Sequence, residues 1–216
     1  MQLQLQDILS YAIGIGAIIG LVRIRKIDQV YYPFILLLWV GLFNEMLSTI
    51  LVIRKLPNAL NSNIYVLAES VLILIFFRAL NLFKRREYLF ILFLVLFVGG
   101  WAAENFIFLS IHRFNSYFRI GYSFIIVLMS IHMINKLLQG EHRQLWKNPV
   151  FLIMLGFIAF FTYKVLIEIF WVYGLNSSKE FRIKVYDLLT YINLAVNLTF
   201  AIAVLWIPRK REYTLL

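Results

Sequence analysis

Long apolar runs, broken at short intervals by basic and turn-forming residues, organise this chain. Seven of them span roughly residues 8–22, 33–53, 64–82, 88–110, 118–138, 149–173 and 183–207. Each is at or near the ~20 residues that a helix needs to cross a hydrocarbon core. The runs are continuous rather than alternating, which predicts helices and disfavours a closed β-barrel. The first is short, but no small-residue cleavage site follows it, so it is read as a retained span and not a signal peptide. The predicted fold class is all-α: a polytopic bundle of seven transmembrane helices forming one domain over residues 1–216. The longest connection, around Gln139 to Asn148, is too short to fold alone. Any cytoplasmic output therefore requires a partner protein.

Composition agrees with the pattern. The chain is 62% hydrophobic with mean hydropathy +0.82, values of a membrane protein rather than a soluble domain. Its net charge of +10 suggests nucleic acid at first, but the distribution points to orientation instead. Arg23, Arg25 and Lys26 follow the first span, and Lys84, Arg85 and Arg86 the third. Arg143 and Lys147 follow the fifth, and Arg209, Lys210 and Arg211 the last. These alternate loops share one side, which the positive-inside rule makes cytoplasmic. The expected topology is N-terminus out and C-terminus in, with the basic clusters against anionic lipid heads. The opposite loops carry Arg54, Lys55, Arg113, Arg119, Lys179, Arg182 and Lys184, so the bias is moderate. The chain has no cysteine, which removes disulfides, thiolate metal sites and cysteine nucleophiles. A bacterial inner membrane fits this.

Smaller features predict local packing. Ala12, Gly16 and Gly20 form a small-residue face on the first span, suited to close approach by another helix. Gly99–Gly100 suggests a kink or close crossing in the fourth. Tyr31, Tyr32, Trp146 and Trp206 read as one interfacial belt, with Trp171 and Tyr173 at the other boundary. A weak repeat recurs in the outer loops: Asn61-Ser62-Asn63, Asn115-Ser116 and Asn176-Ser177-Ser178. Helix capping explains these residues, and Ser177 to Glu180 has capping-box spacing; a threefold hairpin duplication is the alternative.

The chemistry lies in five carboxylic acids inside apolar spans: Glu45, Glu69, Glu104, Glu168 and Asp187. Lys164 accompanies them. An ionisable group in hydrocarbon costs at least ~2.5–3.5 kcal/mol, so five together imply a polar chamber. At 1.5 Å per residue they fall about 6–14 Å below the outer boundary, with Asn44, Asn105, Tyr65, Tyr122, Ser123 and Tyr191 at similar levels. Lys164 and Glu168 are four apart and are expected to pair on the sixth span. Asp187 and Tyr191 share a face of the seventh, where Thr190, Asn193 and Asn197 continue a polar stripe. Five acids against one lysine leave an expected negative excess, to be met by protonation, hydration or a cation. Arg119, Arg182 and Lys184 are near enough to reach down. Glu45 and Glu104 have least local compensation and are the leading candidates for proton uptake or for a cationic ligand. The candidate ligand- or proton-binding set is thus Glu45, Glu69, Glu104, Lys164, Glu168, Asp187, Asn44, Asn105, Tyr122 and Tyr191. A polar network that merely holds the helices together is the competing explanation.

Catalysis finds little support. His112, His132 and His142 lie at different levels and cannot converge on one zinc. Ser123 and Ser130 lack a base at matched depth. A carboxylate site for calcium or magnesium, haem ligation by a single histidine, and retinal on Lys164 are all disfavoured, so neither a catalytic residue nor a metal or cofactor is expected. The inner half carries mainly Ser130, His132, Asn135, Asn193 and Asn197, which predicts a cup rather than a through-path.

Three segments carry a resemblance: Phe114-Asn115-Ser116-Tyr117-Phe118-Arg119-Ile120, Phe161-Thr162-Tyr163-Lys164-Val165 and Trp206-Ile207-Pro208-Arg209-Lys210. In these the chain resembles uncharacterised small seven-helix membrane proteins of bacteria. In topology alone it is similar to the seven-helix sensor regions of bacterial histidine kinases. The resemblance brings no assigned activity; the carboxylate layer leads to the expectation of a receptor-like membrane sensor that binds a small polar or cationic ligand, or protons, in an outward-facing cup and signals through a cytoplasmic partner. The alternatives are a small-solute or cation transporter using the same acids, and a structural subunit of a membrane complex. The expected partners are the lipid bilayer, a small ligand or cation and another protein, with no nucleic acid.

Overall fold

The computed structural model describes residues 9–140, 145–173 and 178–208, and every regular element among them is helical. In chain order the helices are α1 (Ile13–Arg23), α2 (Tyr32–Ile53), α3 (Ala59–Ala79), α4 (Glu87–Ala102), α5 (Ser116–Gly140), α6 (Pro149–Val172) and α7 (Lys179–Trp206). Six are long and apolar enough to cross a membrane, α4 only together with the turn that continues it to Phe108, and α1, at 11 residues, is not. The sequence expectation of seven spans is therefore met in part: among the described residues there are seven such helices, and six of them have spanning length. Expectations for His142, Arg143, Asn176, Ser177, the side chain of Arg182 and the tail after Pro208 fall outside the described atoms.

Local chemistry sets the helix ends. Pro33 and Pro149 occupy first-turn positions of α2 and α6, where a missing N–H costs nothing. Asn148 caps α6 by accepting from the amides of Val150 at 2.9 Å and Phe151 at 3.3 Å. Ser178 caps α7 through the Phe181 amide at 3.1 Å. α2 and α3 close alike. Lys55 (φ 57°) and Asn81 (φ 59°) take the left-handed conformation. The following amides of Leu56 and Leu82 then turn back to the carbonyls of Leu51 and Phe77.

The bundle closes on itself: α1 packs on α2 and α7, α2 on α3, α5 on α6, and α6 on α7, with α3 also touching α5. α4 lies against α3 and α5. The small-residue face of α1 is used inside the chain. A side chain at Gly20 would press on Ile35 of α2, and one at Gly16 would lie between Leu38 of α2 and Ala201 of α7. About a third of the buried apolar residues are aromatic. Phe34, Phe157 and Phe200 meet edge to face with centroids 5.2–6.2 Å apart, and Phe76 lies 5.5 Å from Phe34. Gly156 makes this possible, since a Cβ there would sit 2.3 Å from Phe200. Outward faces are apolar too, with Val22, Val95 and Ile107 all more than 60% exposed. Such a surface suits lipid and not water. Tyr31, expected in an interfacial belt, is instead buried beside Phe76, whereas Trp146, Trp171, Tyr173 and Trp206 are exposed.

Arg23, which the sequence offers as an orientation signal, makes a structural contact. Its guanidinium donates to the carbonyls of Val204, Leu205 and Ile207, the orphan acceptors at the C-terminus of α7. This ties α1 to the last helix. Arg23→Ala is expected to cost about 1.5–3 kcal/mol, the range for hydrogen bonds to a charged group, with Arg23→Lys recovering part of it. Thermal unfolding in detergent checks this; an unchanged melting temperature for Arg23→Ala would show the contact to be idle.

α4 ends in a π-turn over Ala103–Phe108, with the Leu109 amide bonding the Glu104 carbonyl at 2.8 Å. The irregularity expected at Gly99–Gly100 therefore falls just beyond them. Nothing approaches Gly99, and Gly100 makes only ordinary contact with Phe118.

A polar cluster and two cavities at one end of the bundle

The polar residues gather at the end where α2, α4 and α6 finish and α3, α5 and α7 begin. Deepest is a network around Glu69, which is 4% exposed. One carboxylate oxygen accepts from the Tyr65 hydroxyl at 2.9 Å. The other accepts from the Tyr122 hydroxyl at 2.5 Å and from the Lys164 ammonium at 2.8 Å. Lys164 also lies 2.5 Å from the Tyr122 hydroxyl, and the rings of Phe160 and Phe161 flank it within 5.5 Å. Three helices, α3, α5 and α6, thus meet on one ion pair. Its expense in a low-dielectric interior is offset by the hydroxyl bonds and cation–π contacts around it.

Nearer the loops a second cluster centres on Asn63, which is fully buried. Its amide nitrogen donates to the Asn105 side chain at 3.0 Å, the Ile111 carbonyl at 3.0 Å and the Arg113 carbonyl at 2.7 Å. Its own carbonyl accepts from the Trp101 indole at 2.8 Å. Arg119, 8% exposed, joins the cluster through Asn115 at 3.0 Å and Ser62 at 2.8 Å. Its Nε lies 3.8 Å from a Glu168 oxygen, close enough for attraction and too far for a hydrogen bond.

Several expectations change here. Lys164 does not pair with Glu168: it reaches across to Glu69 on α3, while Glu168 faces Arg119. Four-residue spacing puts two side chains on one face but leaves open what that face meets. Glu104 is not under-compensated. Its carboxylate accepts from the backbone amides of Tyr117 at 3.1 Å and Phe118 at 2.5 Å, closing the first turn of α5. An acid there also meets the positive end of the helix dipole. The expected negative excess largely disappears, because Glu69 has Lys164, Glu168 has Arg119 and Glu104 has the amides. Ser123, expected to lend a hydrogen bond, is buried with its hydroxyl unpartnered. Tyr191 is 58% exposed and outside the cluster. Asn44 accepts from the Asn61 side chain at 3.1 Å. Asp187 is half-buried on α7 and lines neither cavity described below. Asn105 belongs to the Asn63 cluster.

Glu104→Ala is expected to destabilise the protein by about 1–2 kcal/mol, as for loss of a strong helix cap, with Glu104→Gln recovering much of it. Hydrogen exchange of the Tyr117 and Phe118 amides reports the same event locally, and unchanged protection would contradict the capping role.

Two cavities flank the Glu69–Lys164 pair. One, of about 360 Å³, is walled by Arg119, Lys164 and Glu168 together with Phe114, Phe160 and Trp171. The other, of about 100 Å³, carries Glu45, Tyr65, Glu69, Asn193 and Asn197 among apolar neighbours. Phe160 lines both, so this ring and the ion pair divide them. Asn193 and Asn197, bonded to each other at 3.1 Å, reach the Glu45 cavity from α7. The sequence had set them apart from the acids, in the inner half.

Sequence reasoning noticed Asn63, Asn115 and Ser62 only as candidate caps. Asn63 in fact lies inside α3, one turn past its start, and Arg119 is a buried member of the cluster. The signal was present in the Asn-Ser repeat, but capping was the simpler explanation. Among the described residues no three histidine, aspartate or glutamate side chains converge to hold a metal ion. No protein-family model, characterised protein or solved structure matches this chain. The side-chain arrangement therefore carries the functional reading.

Proposed function

We propose that this chain is a receptor-like membrane sensor, with its polar end facing outward and its N-terminus on that side. A small polar ligand enters the larger cavity, and helix packing relays occupancy to a protein on the cytoplasmic face. One observation carries this reading: Lys164 is both a wall of the cavity and the partner of Glu69 on α3. A ligand anion reaching the ammonium competes with Glu69 for the same charge. Weakening that bond loosens α6 from α3, and both helices run on to the opposite face.

The experiment is a thermal-stability screen of small charged and polar compounds on purified protein in lipid nanodiscs. Compounds that fit the cavity are expected to stabilise the wild type and leave Lys164→Met unmoved. Hits acting equally on both would remove the cavity from the account.

The second cavity favours one other reading. Glu45 and the Asn193–Asn197 pair stand across the Phe160 partition, as in a gated path. Transport predicts uptake into proteoliposomes that Glu45→Gln abolishes; sensing predicts ligand binding without flux.

A further inference from the structure

The larger cavity also specifies its ligand, an inference that rests on the receptor reading above. Among the described residues its charged wall presents two cations and one anion. Lys164 and Arg119 approach from α6 and α5, and Glu168 lies one turn from Lys164. The remaining wall is apolar and aromatic: Phe114, Phe160, Ile167, Trp171 and Leu189. Phe114 and Trp171 are each 48% exposed and form the mouth, while Arg119 is 8% exposed and lies deep. At about 360 Å³ the space is at the small end of ligand pockets, suited to a single amino-acid-sized molecule rather than a peptide or nucleotide.

The 3.8 Å gap between Arg119 and Glu168 matters most. These two charges attract without a direct bond, so each retains the capacity to accept a closer partner. A pure cation would meet Glu168 but also two positive neighbours. A pure anion would meet both cations but also Glu168. A molecule carrying both charges satisfies the wall from either side, and an apolar body would lie against Phe160 and Leu189. We infer that the cavity takes a compact zwitterion, an ammonium and an acid group joined to an apolar body, with the ammonium at Glu168 and the acid at Lys164 and Arg119. A free amino acid and an aminophospholipid headgroup both present this chemistry.

The test uses calorimetry on the full chain in nanodiscs of phosphatidylglycerol, whose headgroup carries no ammonium. The probes are L-phenylalanine, phenylacetate, which lacks the ammonium, and phenethylamine, which lacks the acid. L-Phenylalanine is expected to bind about ten- to a hundredfold tighter than either analogue, the effect of one charged hydrogen bond. Glu168→Gln, nearly isosteric, should abolish the advantage of L-phenylalanine over phenylacetate, because the ammonium loses its partner while phenylacetate, no longer opposed by a carboxylate, binds at least as well as before. Repeating the titration with phosphatidylethanolamine in the disc separates the sources: competition assigns the site to a lipid headgroup, and its absence to a free molecule. An analogue that matches L-phenylalanine overturns the zwitterion assignment and leaves the receptor reading standing. If none of the three probes binds, the assignment falls as well; the receptor reading falls only if the compound screen also fails to distinguish wild type from Lys164→Met.

Discussion

Lys164→Met is expected to destabilise the protein in lipid by about 3–5 kcal/mol, the usual result of breaking a buried ion pair from one side. Methionine keeps most of the apolar contact with Phe160 and Phe161, so lost packing contributes little. The damage comes from Glu69, a carboxylate 4% exposed and left without its cation. The Tyr65 and Tyr122 hydroxyls still donate to it, but two neutral bonds do not replace a charge. Glu69→Gln on the same background is therefore expected to recover a large part of the stability, because it removes the orphaned charge. The double-mutant cycle in thermal or denaturant unfolding separates this pair from simple packing. Additive single effects would mean that the two residues act independently.

The second large effect is expected at Asn63. Replacement by leucine, close in volume, removes one side chain that serves α3, α4 and the 109–115 connection together. The carbonyls of Ile111 and Arg113 and the Asn105 amide oxygen each lose a donor, in a region closed to solvent on the Asn63 side. Each unsatisfied buried group costs about 1–3 kcal/mol, so a loss of about 3 kcal/mol or more is expected, reduced where the freed carbonyls reach water. Hydrogen exchange should show its largest increase at the connection and the first turns of α5. A change confined to α3 would contradict the role of Asn63 as a link between elements.

How much of this was legible in the sequence depended on what sets each feature. The spans were legible because continuous apolar runs admit little besides helices in lipid. The clustering of Glu69 and Lys164 at one level followed from counting residues along helices. What each faced did not. Helical periodicity places Lys164 and Glu168 on one face, yet only the rotation of α6 against α3 and α5 decides which neighbour each meets. The part played by Glu104 was hidden for a different reason. The π-turn at Ala103–Phe108 departs from the 3.6-residue repeat, and it occurs where the carboxylate meets the amides opening α5. Arg23 shows the same limit, since a charge that reads as an orientation signal also caps a helix nearly the whole chain away.

The central claim is that the Glu69–Lys164 bond holds α3 and α6 in the arrangement that the far face of the bundle reports. The absence of cysteine allows spin labels to be placed at will. Labels at Lys84→Cys, just beyond α3, and Lys147→Cys, just before α6, are both on exposed positions, and pulsed electron resonance in nanodiscs gives their distance distribution. With Glu69→Gln and Lys164→Met together, which remove the bond without stranding a charge, the distribution is predicted to shift or broaden relative to the doubly labelled wild type. Superimposable distributions would contradict the claim and leave the pair as a local fastening.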